Sequence, residues 1–167
     1  MKVKEIMTAK VKSCSQTAHL AAVAEVMRKS NCGALPVVDG DEKVIGMITD
    51  RDICLAMSQK DRDPSRSKVS EVISGEVYDC APGDEVKNAL KTMRKKKVKR
   101  LPVVNGAGAL KGILSIGDIL LRARKAKGKK SQKPSYKDLA RTLQAICEPR
   151  VPKQAKSQPV KKAAAVA

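Results

Sequence analysis

Two places in the chain set a hydroxyl three residues ahead of a carboxylate, each at the end of an apolar run: Thr49 with Asp52, and Ser115 with Asp118. The surrounding stretches, Gly46-Met47-Ile48-Thr49-Asp50-Arg51-Asp52 and Gly112-Ile113-Leu114-Ser115-Ile116-Gly117-Asp118, read as a strand that turns into a helix. Such a corner has two uses. The hydroxyl and the carboxylate can cap the helix start, where negative charge also suits the helix dipole. The same carboxylate can accept from both hydroxyls of a ribose, while backbone N–H groups at the helix start face phosphate. The two uses are compatible.

The elements that must position these corners occur twice. In the first copy, Val3 to Met7 reads as a short helical turn and Val11 to Cys14 as an extended segment. A helix over about residues 18–30 follows, capped by Thr17, with Leu20, Val23, Ala24 and Met27 at helical spacing on one face. Leu35-Pro36-Val37-Val38 is a strand, Asp39 to Glu42 a hairpin turn, and the corner strand and its helix close the unit. The same order returns 66 positions later without a gap. Glu5 falls on Glu71, Cys14 on Cys80, Met27-Arg28-Lys29 on Met93-Arg94-Lys95, and Leu35-Pro36-Val37-Val38 on Leu101-Pro102-Val103-Val104. An internal duplication follows from this register. A copy of about 55 residues is marginal on its own, so the two copies are expected to pack together about a pseudo-two-fold axis and share one core.

Composition narrows the functional classes. Hydrophobic residues are 42% of the chain, with no Phe or Trp, so the core must be aliphatic. The net charge of +18 is uneven: residues 1–121 carry 21 Lys and Arg against 15 Asp and Glu, whereas residues 122–167 carry 14 against 2. A basic tail suits polyanionic partners. Five cysteines without a CxxC pair, and no secretory leader, fit a reducing cytoplasm better than a disulfide framework. No apolar run approaches the roughly 20 residues of a membrane span, so no membrane insertion is expected.

The duplicated order, Leu-Pro-Val-Val before the turn and Gly-x-x-Thr/Ser-x-x-Asp after it, resembles a tandem pair of CBS (cystathionine β-synthase) domains, a Bateman module, over residues 1 to about 122. The resemblance implies an α/β (α+β) fold of two β-α-β-β-α repeats, residues 1–60 and 68–124, joined by a linker at 61–67 and followed by a basic tail at 125–167. It further implies a regulatory, non-catalytic module with two clefts for adenosine-type ligands such as AMP, ADP, ATP or S-adenosylmethionine. No cofactor is required. The family commonly forms homodimers and signals to an effector protein, here unknown.

Carried over by position, the first cleft uses Thr8, Lys10 and Val11 near the base, Cys32 and Gly33, Arg100 toward phosphate, and Ile113, Ser115 and Asp118 on the ribose side. The second uses Ser74, Val77, Val98, Lys99, Met47, Thr49 and Asp52, with Arg51 toward phosphate. The clefts differ, because Arg100 falls on Ala34 in the repeat register and the second cleft must rely on Lys99 or Arg51. Arg100 also reads as one charge of a solvated run, Lys95 to Arg100.

Other residues offer less. One histidine, His19, with scattered cysteines makes neither a triad nor a metal site, and no enzymatic constellation emerges. Cys14 and Cys80 read as small apolar packing residues. Tyr78 is a candidate to stack on a base in the second cleft. Gly128-Lys129-Lys130-Ser131 ends like a phosphate loop but lacks the first Gly and the preceding strand. The tail composition predicts disorder apart from a short helix at 135–147 with Leu139, Leu143 and Ile146 on one side. The alternative function is a nucleic-acid- or ribosome-associated protein whose Lys-rich tail binds without sequence preference. So few aromatics argue against base stacking.

Overall fold

The computed structural model describes residues 1–59, 62–73, 76–123 and 134–149. The Lys-rich runs at 124–133 and 150–167, the phosphate-loop-like stretch and Ser74 lie outside the described residues. A 3-10 turn at Val3–Glu5 opens the chain, followed by β1 (Cys14–Ser15), α1 (Leu20–Lys29), β2 (Ala34–Val38), β3 (Val44–Thr49) and α2 (Asp50–Met57). The second copy has its turn at Val69–Glu71, then α3 (Val86–Lys96), β4 (Arg100–Val104), β5 (Leu110–Ser115) and α4 (Ile116–Arg122). In place of a counterpart to β1 it has a single parallel bridge, Cys80 to Val103. The last described element is α5 (Tyr136–Cys147).

β1 runs parallel to β2, and β2 antiparallel to β3. The β4–β5 hairpin has the register of β2–β3: Arg100 stands opposite Ser115 as Ala34 stands opposite Thr49. The hairpin turns are built alike. Asp39 Oδ1 accepts from the N–H groups of Asp41 and Lys43, and Asn105 Oδ1 from those of Ala107 and Ala109. These are side chains that mimic a backbone turn. At the left-handed position of the turn the second copy has Gly108 (φ 82°), and the first has Glu42 (φ 59°).

The buried residues form two clusters rather than one shared core, and each is completed by the other copy. Val3 lies fully buried among Val86, Leu90, Met93, Leu101 and Leu114 of the second copy. Val69 lies among Leu20, Val23, Leu35 and Ile48 of the first. Backbone bonds fasten both exchanges. The Val3 N–H donates to Asp84 O and the Val86 N–H to Met1 O, while the Val69 N–H donates to Ala18 O and the Leu20 N–H to Ser67 O. Each turn is closed by its own glutamate: the Lys2 N–H donates to Glu5 Oε1 (2.8 Å) and the Lys68 N–H to Glu71 Oε1 (2.9 Å). Burying one valine contributes about 1.5–3 kcal/mol. The exchange therefore holds the copies together at two apolar plugs.

Two local expectations change. Thr17 does not cap α1, since its hydroxyl is bonded to Ser15 Oγ (2.9 Å) and His19 occupies the cap position. Ala24, expected inward, is exposed, whereas its counterpart Leu90 is buried. The reason is α5, which packs along α3 and α4 and adds Leu139 to the second cluster. Lys87, near the start of α3, acts electrostatically on Asp138 near the start of α5. Past the far ends of the two helices, Lys97 Nζ lies 2.9 Å from Glu148 Oε2, so they run in the same direction. Among the described residues no helix is long and apolar enough to cross a membrane.

Candidate functional site

Each hairpin ends in a small hydroxyl residue in extended conformation, and the helix begins at the next residue. At the first corner, Asp52 Oδ2 accepts from the Thr49 N–H (2.9 Å) and from the Thr49 hydroxyl (2.7 Å), and the Asp52 N–H donates back to Thr49 Oγ1 (3.2 Å). At the second, Asp118 Oδ2 accepts from the Ser115 N–H (2.8 Å) and hydroxyl (2.6 Å), and the Asp118 N–H donates to Ser115 Oγ (3.2 Å). The capping use is therefore realised at both corners. It employs one oxygen of each carboxylate. The other, Oδ1, takes no hydrogen bond among the described residues, and both aspartates are half-buried. A carboxylate fixed through one oxygen and free at the other is a rigid acceptor for a hydroxylated ligand.

The chain segment ahead of β1 crosses to the second corner. Thr8 pairs with Ile113 of β5, each N–H donating to the other's carbonyl at 3.0 Å. Gly112 permits the crossing: a Cβ there would lie 2.6 Å from Thr8 O and 3.3 Å from Ala9 Cα. Lys10 and Val11 continue from this crossing, Lys10 exposed and Val11 half-buried. Ala9, Val11, Ser13 and Val38 line a cavity of about 190 Å³ together with Glu42, Leu110 and Lys111. At the other corner Gly46 plays the matching part, where an added Cβ would meet Ile73 Cδ1 at 3.0 Å. Asp52 lines a cavity of about 240 Å³ with residues of α2 and with Arg62, Glu71 and Val72; Arg62 and Glu71 are paired at 3.6 Å. Both cavities are smaller than the roughly 300 Å³ at which small-molecule pockets begin, and so can seat only part of a nucleotide.

The residues just before β2 and β4 group differently from the sequence expectation. Gly33 O accepts the Asp50 N–H (3.2 Å), so Cys32 and Gly33 stand at the Thr49–Asp52 corner rather than with Ser115 and Asp118. Lys99 O accepts the Ile116 N–H (2.9 Å), so Val98 and Lys99 stand with Arg100 at the Ser115–Asp118 corner. Each copy keeps its own approach to the corner because β2–β3 and β4–β5 are hairpins and bring that approach alongside by register. The asymmetry widens as a result. One corner has two exposed cations, Lys99 and Arg100, while the other has Gly33, Ala34 and the exposed Arg51. Met47 and Val77 are half-buried near the Thr49 corner strand and ahead of the Cys80 bridge.

Tyr78 is not available as a base-stacking platform on both faces. Lys96 Nζ sits 4.2 Å from its ring centroid, and the ring packs against the second cluster. Its phenol is held above the ordinary value, first by a hydrogen bond to Glu76 and then by burial. Cys14 and Cys80 are core residues, and burial pushes their thiols up to about 11 and about 12. Among the described residues no group of three or more His, Cys, Asp and Glu side chains gathers as a metal site would require. The residues missed from sequence are those of the crossings, Met7, Ala9 and Ile73, and the Arg62–Glu71 pair. The one signal for them was the duplicated glycine, Gly46 and Gly112, ahead of each corner.

A third box of the same kind caps α5. Asp138 Oδ2 accepts from the Ser135 hydroxyl (2.7 Å) and N–H (3.1 Å). Among the described residues no hairpin leads into this corner and no segment from the other copy crosses it. The motif alone is thus a cap. The hairpin and the crossing segment are what distinguish the two internal corners.

Two paired hairpin corners, with opening turns exchanged between copies, define a tandem domain pair, and the CBS domain model matches it at residues 3–59 and 69–125. The chain belongs to the CBS domain family. It is 36% identical to the CBS domain-containing protein YhcV of Bacillus subtilis over 117 residues, 70% of this chain and 81% of that one. It is 31% identical to hypoxic response protein 1 of Mycobacterium tuberculosis over 116 residues, 70% and 80% of the two chains. Among solved structures, hypoxic response protein I with two coordinated zinc ions superposes with a TM-score of 0.67 at 30% identity, covering 72% of this chain and 98% of that one. The CBS domain pair of MJ0100, in complex with 5′-methylthioadenosine and S-adenosyl-L-methionine, gives 0.66 at 25% identity, covering 72% and 98%.

Proposed function

We propose that this chain is a non-catalytic regulatory module of the cytoplasm that binds an adenosine-type ligand, AMP, ADP, ATP or a relative, between its two copies. The observation that carries the reading is the state of Asp118 and Asp52. Each is locked by a cap through Oδ2 and keeps Oδ1 for a ligand. The adenosine compounds in the MJ0100 complex support the same ligand class. Ser115 and Asp118 take the ribose hydroxyls, Thr8 and Val11 flank the base, and Lys99 and Arg100 meet phosphate. Thr49 and Asp52, with Met47, Val77, Cys32 and Gly33, form the second site, and Arg51 is its cation.

Signalling follows from the crossing. A ligand that touches Thr8 of one copy and Asp118 of the other binds best to one relative arrangement of the copies. Its differential affinity shifts the population toward that arrangement, or toward one form of a homodimer, for an effector protein to read. Calorimetry with AMP, ADP, ATP, NAD, S-adenosylmethionine and 5′-methylthioadenosine tests this. At least one binds, and Asp118→Ala weakens it about tenfold or more, the scale of a lost charged hydrogen bond. Absence of binding to all six, or binding indifferent to both Asp118→Ala and Asp52→Ala, sinks the reading.

A further inference from the structure

Helices α1 and α3 are copies of one another, yet the outer face of α1 is charge-paired and that of α3 is wholly basic. In α1, Glu25 holds Arg28 at 2.8 Å and Lys29 at 3.3 Å. Sixty-six positions later the glutamate is Lys91, followed by Arg94 and Lys95. The spacing i, i+3, i+4 puts all three on one helix face, and all three are exposed. None has an ion-pair partner among the described residues, because Glu76 and Glu148 are engaged by Lys96 and Lys97. Residues 86–100 hold eight Lys and Arg and no acid, whereas the matching 20–34 hold two and one. Exposed Lys99 and Arg100 extend the strip beyond the helix.

The rest of α3 is closed off. Leu90 and Met93 are buried and α5 lies along the helix, so its solvent face is polar and basic. That face has no exposed apolar side chain to insert into a membrane, the feature an interfacial helix needs. It has no aromatic on which bases could stack, leaving phosphate as the group it suits. We propose that the outer face of α3, centred on Lys91, Arg94 and Lys95, binds the phosphate backbone of nucleic acid without reading its sequence. This surface adjoins the Ser115–Asp118 corner at Lys99 and Arg100, and its centre belongs to the folded module rather than to the tail.

The test uses the full chain and its Lys91→Glu variant, which restores the residue of the sister helix and the acidic partner for Arg94 and Lys95. Fluorescence anisotropy follows binding to a labelled single-stranded RNA and a labelled duplex DNA of equal length, from about 50 to about 200 mM salt. Lys91→Glu is expected to weaken binding at least tenfold and to flatten the log–log salt slope by about 2, the share of two to three phosphate contacts. Lys4→Glu, the same charge change on an exposed turn, is expected to alter that slope by less than about 1. Equal effects of the two variants overturn the proposal, as does a slope unmoved by Lys91→Glu. So does a wild-type protein that binds acidic phospholipid vesicles and neither nucleic acid. Unchanged melting and unchanged nucleotide calorimetry in Lys91→Glu show that the fold and the corners are intact. A triple Lys91→Ala, Arg94→Ala, Lys95→Ala variant repeats the comparison should the glutamate disturb the helix.

Discussion

Thr8 and Ile113 exchange two backbone hydrogen bonds of 3.0 Å, so a single antiparallel bridge joins the first copy to the edge of β5 in the second. The pairing ties one copy's approach segment to the other copy's ribose corner. It lies beside Gly112, where there is no room for a methyl group.

Gly112→Ala should therefore separate the copies more than Gly46→Ala does. At Gly112 the obstruction is backbone, Thr8 O at 2.6 Å, whereas at Gly46 it is the flexible end of Ile73 at 3.0 Å. Overpacking of this kind costs about 1–3 kcal/mol, and Gly112→Ala should fall at the upper end and Gly46→Ala at or below the lower. Urea unfolding of both variants decides it, and equal midpoints would refute the crossing as the tight point.

Ser135→Ala and Ser115→Ala should cost similar stability and differ in function. Each removes the hydroxyl of a capping box of nearly the same geometry, a loss of about 1 kcal/mol. Only Ser115→Ala should weaken nucleotide binding. Parallel melting and calorimetry of the two variants separate cap chemistry from ligand chemistry.

The buried thiols predict a fall in stability on the alkaline side. Burial raises Cys14 from 9.0 to about 11 and Cys80 from 9.0 to about 12. The folded state thus holds both protons where the unfolded state loses them. Their contribution is complete below about pH 9 and drains away as pH rises toward 11 and 12. Denaturation midpoints should drop across that window, and less steeply in a Cys14→Ala, Cys80→Ala variant. In the native protein at pH 8, a thiol reagent should modify the exposed Cys54 and Cys147 promptly and leave Cys14 and Cys80 unmodified.

Leu139→Ala should destabilise the module although it lies beyond the duplication. Leu139 is 2% exposed within the second cluster, and truncating a buried leucine costs about 2–5 kcal/mol. Hydrogen exchange should speed up in α3 and α4 more than in α1 and α2. Exchange unchanged in α3 would mean that α5 does not dock in solution.

The sequence alone determined the order of elements, their doubling at an offset of 66, and the two hydroxyl–carboxylate corners. These rest on local chemistry, strand alternation, turn residues and caps, which act over a few residues and leave the same imprint in each copy. Asp52 and Asp118 could be picked out with their partners already beside them, because a capping box spans only three residues. The helix at 135–147 was legible from its own apolar spacing, and the one mark of its docking on α3 is Leu90, which stands where the first copy has Ala24, one apolar side chain more than α3 could bury by itself. The tertiary structure decided the rest. That Val3 plugs the second copy and Val69 the first depends on partners as far off in the chain as Leu114 and Leu20, and hydrophobic burial carries no address in the sequence. Hairpin register, not repeat equivalence, placed Lys99 beside Arg100 at the Ser115–Asp118 corner and Gly33 beside Asp50 at the other. The corners were thus written locally, and their inequality was fixed by which strands came to lie side by side.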